Sequence, residues 1–376
     1  MGGDVLVALK VLHTGDLHLG IAHSSRNYPE DVRSDLVNAR FLTLERLVET
    51  AGREECQLFV VAGDLFDRPN VSKETVLRAL AALARFEGCV AVLPGNHDYY
   101  DPFGSLWRTF RENAAGNILV LTEERPYSLE GFNLDAVLYP APCNKKHSAD
   151  NRLGWIKAAG KSQQGKWHLG LAHGTVRGLS PDLAEQYFPM DKEELLALGL
   201  NHWFLGHTHV RLPAADLVRD SRFSYSGTPE ADGFDCSHGG WAWITEFAEG
   251  YTESRALQTG NYRFMEVSWD VRELADLRSK VNDLPADGTG RLVKLVLRGS
   301  LKQDEYALRL ELLRGLGEKL KYLEWDDTGL RVEITKESIA EEFAAGSFPS
   351  LLLSALAEED GHALQLAYEL VKKVKK

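Results

Sequence analysis

The chain has 376 residues, of which 44% are hydrophobic and 26% are charged, and its formal net charge at pH 7 is −12. This length and composition are typical of a globular protein with two domains, or with one large domain and an appendage. The acidic balance argues against a broad basic surface that would grip nucleic acid unaided, although a local basic stripe can still contact a phosphate backbone.

The cysteines and the apolar segments indicate the compartment. The four cysteines are far apart and include no Cys-x-x-Cys pair, so we expect no disulfide framework. The N-terminus lacks the basic segment of a signal peptide, and no run of about 18 apolar residues occurs. We therefore expect a cytoplasmic protein that does not span a membrane.

The first hundred residues alternate apolar strands with amphipathic helices. Strands are predicted at 5–13, 57–62 and 89–93, and helices at 31–55 and 72–86. This β-α-β-α-β pattern favours a parallel sheet with right-handed crossovers. In such sheets, ligand sites collect at the carboxyl ends of the strands.

The α/β pattern continues to about residue 260. The further predicted elements are a short helix ending near 113, strands at 118–121, 127–129, 134–139 and 168–173, a helix at 191–198, and strands near 202–205, 222–226 and 241–247. Residues 145–166 are helical in part and locally basic. Within them, Lys145, Lys146 and Arg152 are candidate contacts to a phosphate backbone, and a solvated helix face is the alternative.

The composition changes after residue 260, where the clusters of metal-ligand residue types end. The elements predicted there are strands at 263–269, 291–298, 320–325 and 329–335 and helices at 271–282 and 303–318. This order is typical of a small α+β domain of the split β-α-β kind. We therefore predict domains at 1–260 and 261–335, followed by a helical segment at 336–376.

Five of the predicted strands end in residue types that bind metal ions. These residues are Asp16, His18, Asp64, Asn96, His173, His207 and His209. In Asp16-x-His18, and likewise in His207-x-His209, alternate residues of an extended segment would point the same way and share one ion. Asp64 comes from the middle of the set, where its two oxygens can bridge two ions.

The ligand types favour a catalytic site with two divalent ions. Nitrogen and oxygen ligands without thiolates suit Mn²⁺ best, with Fe, Zn²⁺ or Mg²⁺ as alternatives. Seven ligands shared by two ions leave positions for water and substrate. Two cations about 3.5–4 Å apart can activate water and hold the oxygens of a phosphoryl displacement. His97 is the candidate acid for the leaving oxygen, and Asp98 is the carboxylate that would orient it.

Five short motifs carry these residues. They are Gly15-Asp16-Leu17-His18, Gly63-Asp64-Leu65-Phe66-Asp67, Gly95-Asn96-His97-Asp98, Ala172-His173-Gly174 and Gly206-His207-Thr208-His209. Together they resemble the motifs of calcineurin-like metallophosphoesterases. The resemblance covers residues from about 5 to 260 and implies a four-layer α/β/β/α sandwich, which refines the plain parallel sheet. It also implies His97 as catalytic acid and two ions, one held by Asp16, His18, Asp64 and His209 and the other by Asp64, Asn96, His173 and His207.

Longer stretches are similar to one branch of that superfamily. His13–Gly20, Gly63–Asp67 and Tyr225–Glu230 resemble the SbcD-type (Mre-eleven type) DNA-repair nucleases. The resemblance implies Mn²⁺-dependent 3′–5′ exonuclease and endonuclease activity in double-strand-break repair. It also implies a capping domain at 261–335 and a segment at 336–376 that docks on an SMC-like ATPase of the SbcC type, with a homodimer inside a heterotetramer. Asp67 departs from those members that have histidine there.

Three other functions compete with this interpretation. A small-molecule phosphodiesterase or nucleotide pyrophosphohydrolase of the same superfamily would explain the acidic charge without a partner, but it leaves 262–376 unexplained. A phosphoprotein phosphatase would fit the pair Asp67-Arg68, but not Pro69 or Asp98. A metal-binding scaffold that presents a partner is the non-enzyme alternative, and the complete ligand set argues against it.

Overall fold

The computed structural model describes residues 8–24, 26–179, 184–284, 290–359 and 361–375. The chain divides into two compact units, Met1–Phe264 and Met265–Lys376. Residues 5–7 of the first predicted strand lie outside the described residues. No helix among the described residues combines the length and apolar character needed to cross a bilayer. The assignment of 261–335 as a capping domain and of 336–376 as a docking segment stays a prediction.

The first unit begins with the predicted alternation of strands and helices. β1 (Leu9–Thr14), β2 (Leu58–Ala62) and β3 (Cys89–Leu93) are neighbours in one sheet and pair in parallel. α1 (Glu30–Arg53) and α2 (Lys73–Leu83) connect them. Parallel strands need such crossovers because each strand starts at the same end of the sheet, so the chain must run back to that end before each new strand.

The burial of β2 explains why it is an unbroken apolar run. Phe59 and Val61 pack with the helices, whereas Leu58, Val60 and Ala62 belong to the core between the two sheets. Alternate residues of a strand face opposite sides of a sheet, so a strand that is covered on both sides has to be apolar throughout. Each large side chain buried in this way contributes about 1.5–3 kcal/mol.

The remaining elements of the first unit follow in chain order. They are α3 (Ser105–Asn113), β4 (Ile118–Val120), β5 (Tyr127–Ser128), a 3-10 turn (Glu130–Phe132), β6 (Ala136–Ala141), α4 (Gly154–Ala159), β7 (Trp167–His173), α5 (Lys192–Ala197), β8 (His202–Gly206), β9 (Leu217–Arg219), β10 (Phe223–Tyr225), β11 (Trp241–Ala248) and β12 (Tyr251–Gln258). Most of them lie close to the predicted positions, and β9 and β12 are additional.

The strands of the first unit form two sheets. One has seven strands in the order β4-β3-β2-β1-β11-β12-β9, and the other has five in the order β10-β8-β7-β6-β5. Val11 and Val60 from the first sheet share a core with Leu171 and Phe204 from the second. α1, α2 and α3 cover the outer face of the first sheet, and α4 and α5 cover that of the second. The four-layer α/β/β/α fold is therefore confirmed.

The plain parallel sheet expected from the order of elements alone is wrong in part. β11 pairs antiparallel with β1, and β12 and β9 extend the same edge in antiparallel fashion. β12 escapes prediction because a polar pair fills its inward side, where Ser254 lies buried with its hydroxyl 2.9 Å from that of Thr245. Without apolar alternation, a strand leaves no periodic signal.

The second unit contains a three-stranded sheet. Its elements are β13 (Arg263–Val271), which starts just before the boundary, α6 (Leu274–Asp283), β14 (Arg291–Leu301), α7 (Gln303–Gly317) and β15 (Tyr322–Val332). The strand order is β13-β14-β15. The predicted strands 320–325 and 329–335 are the single strand β15, because its pairing with β14 continues after a register shift between Val296 and Arg298.

Three helices end the chain. They are α8 (Lys336–Glu342), α9 (Phe348–Glu359) and α10 (Gly361–Lys375), so the tail is helical as predicted. Ile339, Phe343, Leu353 and Leu364 form a small apolar cluster among them. These helices thus have a core of their own within the second unit.

Candidate metal centre

The seven predicted ligands lie where strands of both sheets end. Asp16 and His18 follow β1, Asp64 follows β2, Asn96 follows β3, His173 ends β7, and His207 and His209 follow β8. The structure brings all of them together through the contacts below. Because β1, β2 and β3 belong to one sheet and β7 and β8 to the other, the cluster joins the carboxyl edges of the two sheets.

The first ligand group consists of Asp16, His18 and His209. The ligand atoms of these three residues lie within 4.8 Å of one another. Nε2 of His18 is 3.3 Å from Nε2 of His209, which is 3.9 Å from Oδ1 of Asp16. Two imidazole nitrogens and a carboxylate oxygen thus face a common point.

The second ligand group is arranged around His173. Its Nδ1 lies 2.9 Å from the carbonyl oxygen of Ala62, which accepts the Nδ1–H bond and leaves Nε2 as the ligating atom. That Nε2 lies 3.3 Å from Oδ2 of Asp64 and 2.9 Å from Oδ1 of Asn96. Nδ1 of His207 lies 3.1 Å from the same Asn96 oxygen. The four side chains converge as the resemblance implies.

Two carboxylates lie between the groups. Oδ2 of Asp64 is 3.3 Å from Nε2 of His173 and 3.7 Å from Nε2 of His18, so Asp64 faces both groups. Ligand atoms of Asp16 also lie within 4.8 Å of those of Asp64 and His173. The resemblance places Asp16 on one ion, whereas the structure puts it in reach of both groups.

The backbone at several ligands is left-handed rather than extended. φ is 53° at Asp16, 46° at His18, 50° at Asp64 and 97° at His207. The extended conformation expected for Asp16-x-His18 is therefore wrong, and tight turns aim these side chains instead. Such conformations cost about 1–3 kcal/mol each in residues other than glycine and cluster at functional sites.

The electrostatics of the cluster favour added positive charge. Burial alone would lower the pKa of His173, but Asp64 and Asp16 raise it to about 9. Burial would also lower the pKa of His209, but a hydrogen bond to Asp232, together with Asp16, raises it to about 9. Converging nitrogen and oxygen donors in such a field suit divalent ions such as Mn²⁺, Fe²⁺ or Zn²⁺. The residues therefore fit a metal centre.

His97 lies beside the first ligand group. Its ring meets that of His18 edge-on, with 4.7 Å between the ring centroids. Its Nδ1 is 3.0 Å from the carbonyl oxygen of Asp67, which leaves Nε2 for other contacts. With the Asp67 carboxylate, the two histidines form a further group whose ligand atoms lie within 4.8 Å.

Asp98 is tied to the backbone. Its two oxygens accept hydrogen bonds from the amides of Gly95, at 2.7 Å, and Phe66, at 3.0 Å. Burial and the neighbouring Asp64 raise the pKa of Asp98 to about 7, against the effect of these two bonds. Asp98 thus links two motif loops, and the role predicted for it in orienting His97 stays a prediction.

Two glycines let the sheets meet at this point. A Cβ on Gly206 would lie 2.0 Å from the carbonyl oxygen of Ala62, and one on Gly63 would lie 2.1 Å from Nδ1 of His173. Both distances are far below any real contact, so no side chain fits at either position. The ends of β2 and β8 therefore touch through their main chains.

Two of the predicted DNA contacts precede a segment that reaches one of the predicted ligands. The lysines at 145–146 are exposed, and Ser148 just after them pairs through main-chain hydrogen bonds with the segment 186–188. Within that segment, the ring of Tyr187 lies 4.7 Å from the ring of His207. The basic segment is thus connected to the metal centre through one aromatic side chain.

The third predicted contact is less available. Arg152 forms an ion pair with Glu124, so its charge is partly neutralised. Arg152 also follows the two lysines by several residues, on the approach to α4. A phosphate contact at Arg152 would have to compete with this carboxylate.

Two residues that contact the predicted ligands are absent from the sequence-based prediction. Oδ2 of Asp232 lies 3.0 Å from Nδ1 of His209, and Tyr187 packs on His207. Both lie in loops rather than at strand ends, so the strand-end pattern does not find them. The resemblance of Tyr225–Glu230 to the SbcD-type nucleases is the signal in the sequence that lies near Asp232.

The chain was compared with curated proteins. It is similar to the uncharacterized metallophosphoesterase YhaO of Bacillus subtilis (strain 168), with 28% identity over 217 residues. This alignment covers 55% of the chain and 50% of the relative, so the chain spans about half the length of that protein.

Solved structures give more distant likenesses. TT1561 of Thermus thermophilus has 11% identity and a TM-score of 0.37, over 59% of this chain and 90% of that one. A second solved chain has 12% identity and a TM-score of 0.42, over 68% of this chain and 100% of that one. These values are too low to bear on function.

A family model gives the clearest match. The model for calcineurin-like phosphoesterases matches residues 9–211. This stretch is more than half of the chain, and it contains all seven residues of the candidate metal centre. The chain therefore belongs to the calcineurin-like phosphoesterase family.

Proposed function

We propose that this metallophosphoesterase is a Mn²⁺-dependent DNA nuclease that acts as a 3′–5′ exonuclease and an endonuclease in double-strand-break repair. The observation that carries the proposal is the exposed basic segment at 145–146, which is linked through Tyr187 to the predicted ligand His207. A phosphodiester backbone that follows these lysines would be led to the metal centre. The SbcD-type sequence resemblance supports the same substrate.

The ligand assignment is part of the proposal. Asp16, His18, Asp64 and His209 would hold one ion, and Asp64, Asn96, His173 and His207 would hold the other. When bound, two divalent ions polarise the phosphoryl oxygens and lower the pKa of water.

The remaining chemistry belongs to side chains. His97 would give the leaving oxygen a proton from Nε2, as an imidazolium whose Nδ1–H is held by the carbonyl oxygen of Asp67 at 3.0 Å. Asp98 keeps the loop that carries His97 in place through the hydrogen bonds that its carboxylate accepts from two backbone amides.

The C-terminal helices are the proposed docking site for an SMC-like ATPase of the SbcC type. Phe348, Leu351, Leu370 and Val374 are large apolar side chains that are 62–88% exposed. Part of this surface is a groove of about 580 Å³ between α8, α9 and α10. A partner's amphipathic helix or coiled coil would bury such a face. A homodimer of this chain with two ATPase subunits is the assembly that we propose.

The substrate is tested by comparing DNA with small esters. The protein is loaded with Mn²⁺ and incubated with duplex ends, hairpins and single-stranded DNA, and separately with bis(p-nitrophenyl) phosphate and cyclic nucleotides. We expect stepwise removal of nucleotides from 3′ ends and nicking of hairpins. His97→Ala protein purified in parallel controls for contaminating nuclease.

The opposite result would support the alternative. Hydrolysis of the small esters without cleavage of DNA at any salt concentration would overturn the nuclease proposal. It would favour a small-molecule phosphodiesterase or nucleotide pyrophosphohydrolase, which the net charge of −12 would suit. The partner proposal is tested separately, by co-purification with an SMC-like ATPase and by its loss in Leu370→Glu.

A further inference from the structure

A carboxylate outside the five motifs contacts one of the predicted ligands. Oδ2 of Asp232 lies 3.0 Å from Nδ1 of His209. The other nitrogen of that ring, Nε2, lies 3.3 Å from Nε2 of His18 and 3.9 Å from Oδ1 of Asp16. An imidazole whose Nδ1–H bonds to a carboxylate keeps its Nε2 lone pair for a metal ion, and here Nε2 faces the first ligand group.

Packing alone does not hold this ring. The side chain of His209 is 37% exposed, whereas that of His18, in the same ligand group, is 5% exposed. His18 also has a carboxylate at its Nδ1, but the distance to Oδ1 of Asp67 is 3.7 Å, too long for a hydrogen bond. The bond to Asp232 is therefore what fixes the ring of His209.

The loop that carries this carboxylate is itself anchored. The amide of Thr228 donates to the carbonyl oxygen of His209 at 3.1 Å, and Nε2 of His238 lies 2.7 Å from the same oxygen. Glu230, which is 2% exposed, accepts a hydrogen bond of 2.6 Å from the hydroxyl of Thr43 on α1. The loop thus holds both the main chain and the ring of His209.

α1 also carries a buried cation. Arg40 on α1 is 1% exposed, and its Nη1 donates to the carbonyl oxygen of Leu17 at 2.6 Å. Its Nε and Nη2 are buried and have no hydrogen-bond partner within the described part of the chain. Burial lowers the pKa of Arg40, and the carboxylate that opposes this most is Asp232, ahead of Glu230. A buried charge needs such a counter-charge, because desolvation is costly.

We propose that Asp232 is a positioning residue for His209, and that this contact sets the affinity of the first ligand group for its ion. The inference rests on the proposed ligand assignment. Without Asp232, the partly exposed ring has to be ordered by the ion itself, and part of the binding free energy is lost. Removal of the outer partner of a ligating histidine lowers metal affinity or activity by about 10–100-fold.

The test measures Mn²⁺ binding to the metal-free full chain by calorimetric titration. We expect Asp232→Ala to weaken one of two sites by about 10–100-fold and to leave the other near its wild-type affinity. Asp232→Glu should restore most of the loss. Asp232→Asn keeps the side-chain volume and should fall between them. Asp235→Ala, in the same loop and exposed, is the matched control and should bind like wild type.

Two results would overturn the inference. One is wild-type affinity at both sites in folded Asp232→Ala. The other is equal weakening of Mn²⁺ binding at both sites in Asp232→Ala, together with a lower melting temperature of metal-free Asp232→Asn. That combination would mean that the contact only stabilises the fold. The readout is ion binding rather than cleavage, so the outcome does not depend on whether DNA is the substrate.

Discussion

The backbone amide of His97 donates a hydrogen bond to Oδ1 of Asp64 at 2.8 Å. The candidate acid and the carboxylate between the two ligand groups are therefore joined through the main chain. Removal of the imidazole leaves this bond in place, whereas removal of the carboxylate breaks it. The two side chains should thus respond differently to substitution.

His97→Ala is expected to keep both ions and to lose most turnover. Loss of a positioned general acid lowers the rate by about 10²–10⁴-fold. The measurements are metal content per chain by mass spectrometry and kcat on bis(p-nitrophenyl) phosphate. Glu193→Ala, which removes an exposed carboxylate on α5, is the control and should keep its rate. A full rate in His97→Ala would show that His97 is not the acid.

Asp64→Ala is expected to lose metal from both ligand groups, because Asp64 faces His18 in one and His173 in the other. Asp64→Asn keeps an oxygen for the His97 amide but removes the negative charge, so it should lose metal too. Metal content after dialysis measures both variants. Two retained ions in Asp64→Asn would mean that its charge is not needed.

Asp98→Asn is expected to destabilise the fold. Asp98 is fully buried with one amide donor on each oxygen, so an asparagine would point its NH₂ group at one of them. A buried donor left without a partner costs about 1–3 kcal/mol. The melting temperature of the metal-free protein should therefore fall by several degrees, whereas the exposed Asp150→Asn should leave it unchanged. An unchanged value in Asp98→Asn would refute this role.

The places of the candidate ligands could be predicted because they follow strands that are mostly apolar. Asp64 after β2 is an example, since five buried residues precede it. The backbone at these positions could not be predicted in the same way. The left-handed φ of Asp16 and His18 depends on their amides, which donate to the carbonyl oxygens of Gly63 and Asp64. Contacts between distant segments leave no periodic pattern in a sequence.

Reversal of charge at the basic segment is expected to weaken the binding of DNA without changing the hydrolysis of small substrates. Lys145→Glu with Lys146→Glu should weaken DNA binding and reduce its dependence on salt, because fewer phosphate contacts release fewer counterions. Hydrolysis of bis(p-nitrophenyl) phosphate should stay unchanged. Lys157→Glu with Lys161→Glu, both exposed and nearby, is the control. Equal weakening in both pairs would indicate a general charge effect rather than a contact.

Low pH is expected to destabilise the fold through two buried histidines, His13 and His202. Burial, with His202 nearby, lowers the pKa of His13 to about 3, and burial lowers the pKa of His202 to about 4. Histidines of the unfolded chain titrate near a pKa of about 6.5, so below that pH the unfolded chain binds protons that the folded chain does not. The free energy of unfolding should then fall by up to about 1.4 kcal/mol per pH unit for each histidine, until the folded pKa is reached.

Urea unfolding of the metal-free protein from about pH 7 to about pH 4.5 measures this effect. In His202→Gln, the free energy of unfolding should decrease less steeply with falling pH, by the contribution of one histidine, because glutamine does not titrate. Gln163→Ala, at an exposed position without a titratable group, should leave the slope unchanged. The same slope in wild type and His202→Gln would show that other groups cause the acid sensitivity.

The polar groups that contact the candidate ligands are harder to predict from a sequence than the candidate ligands themselves. Asp232 lies well after His209 in the chain and contacts it through a loop that is anchored on Thr43 of α1 through Glu230. Arg40 is a charged residue of α1, and from the sequence alone such a residue is expected to be solvated. Such outer partners depend on tertiary packing, which spacing along the chain does not encode.

The main-chain contact between Gly206, at the end of β8, and Ala62, at the end of β2, has a consequence for how this protein can change. The distance between the ligand that follows β2 and the ligands that follow β8 depends on main-chain atoms in contact. Substitutions elsewhere alter these atoms least. Side chains of the surrounding loops can therefore diverge, and substrates and partners with them, while the metal centre keeps its dimensions.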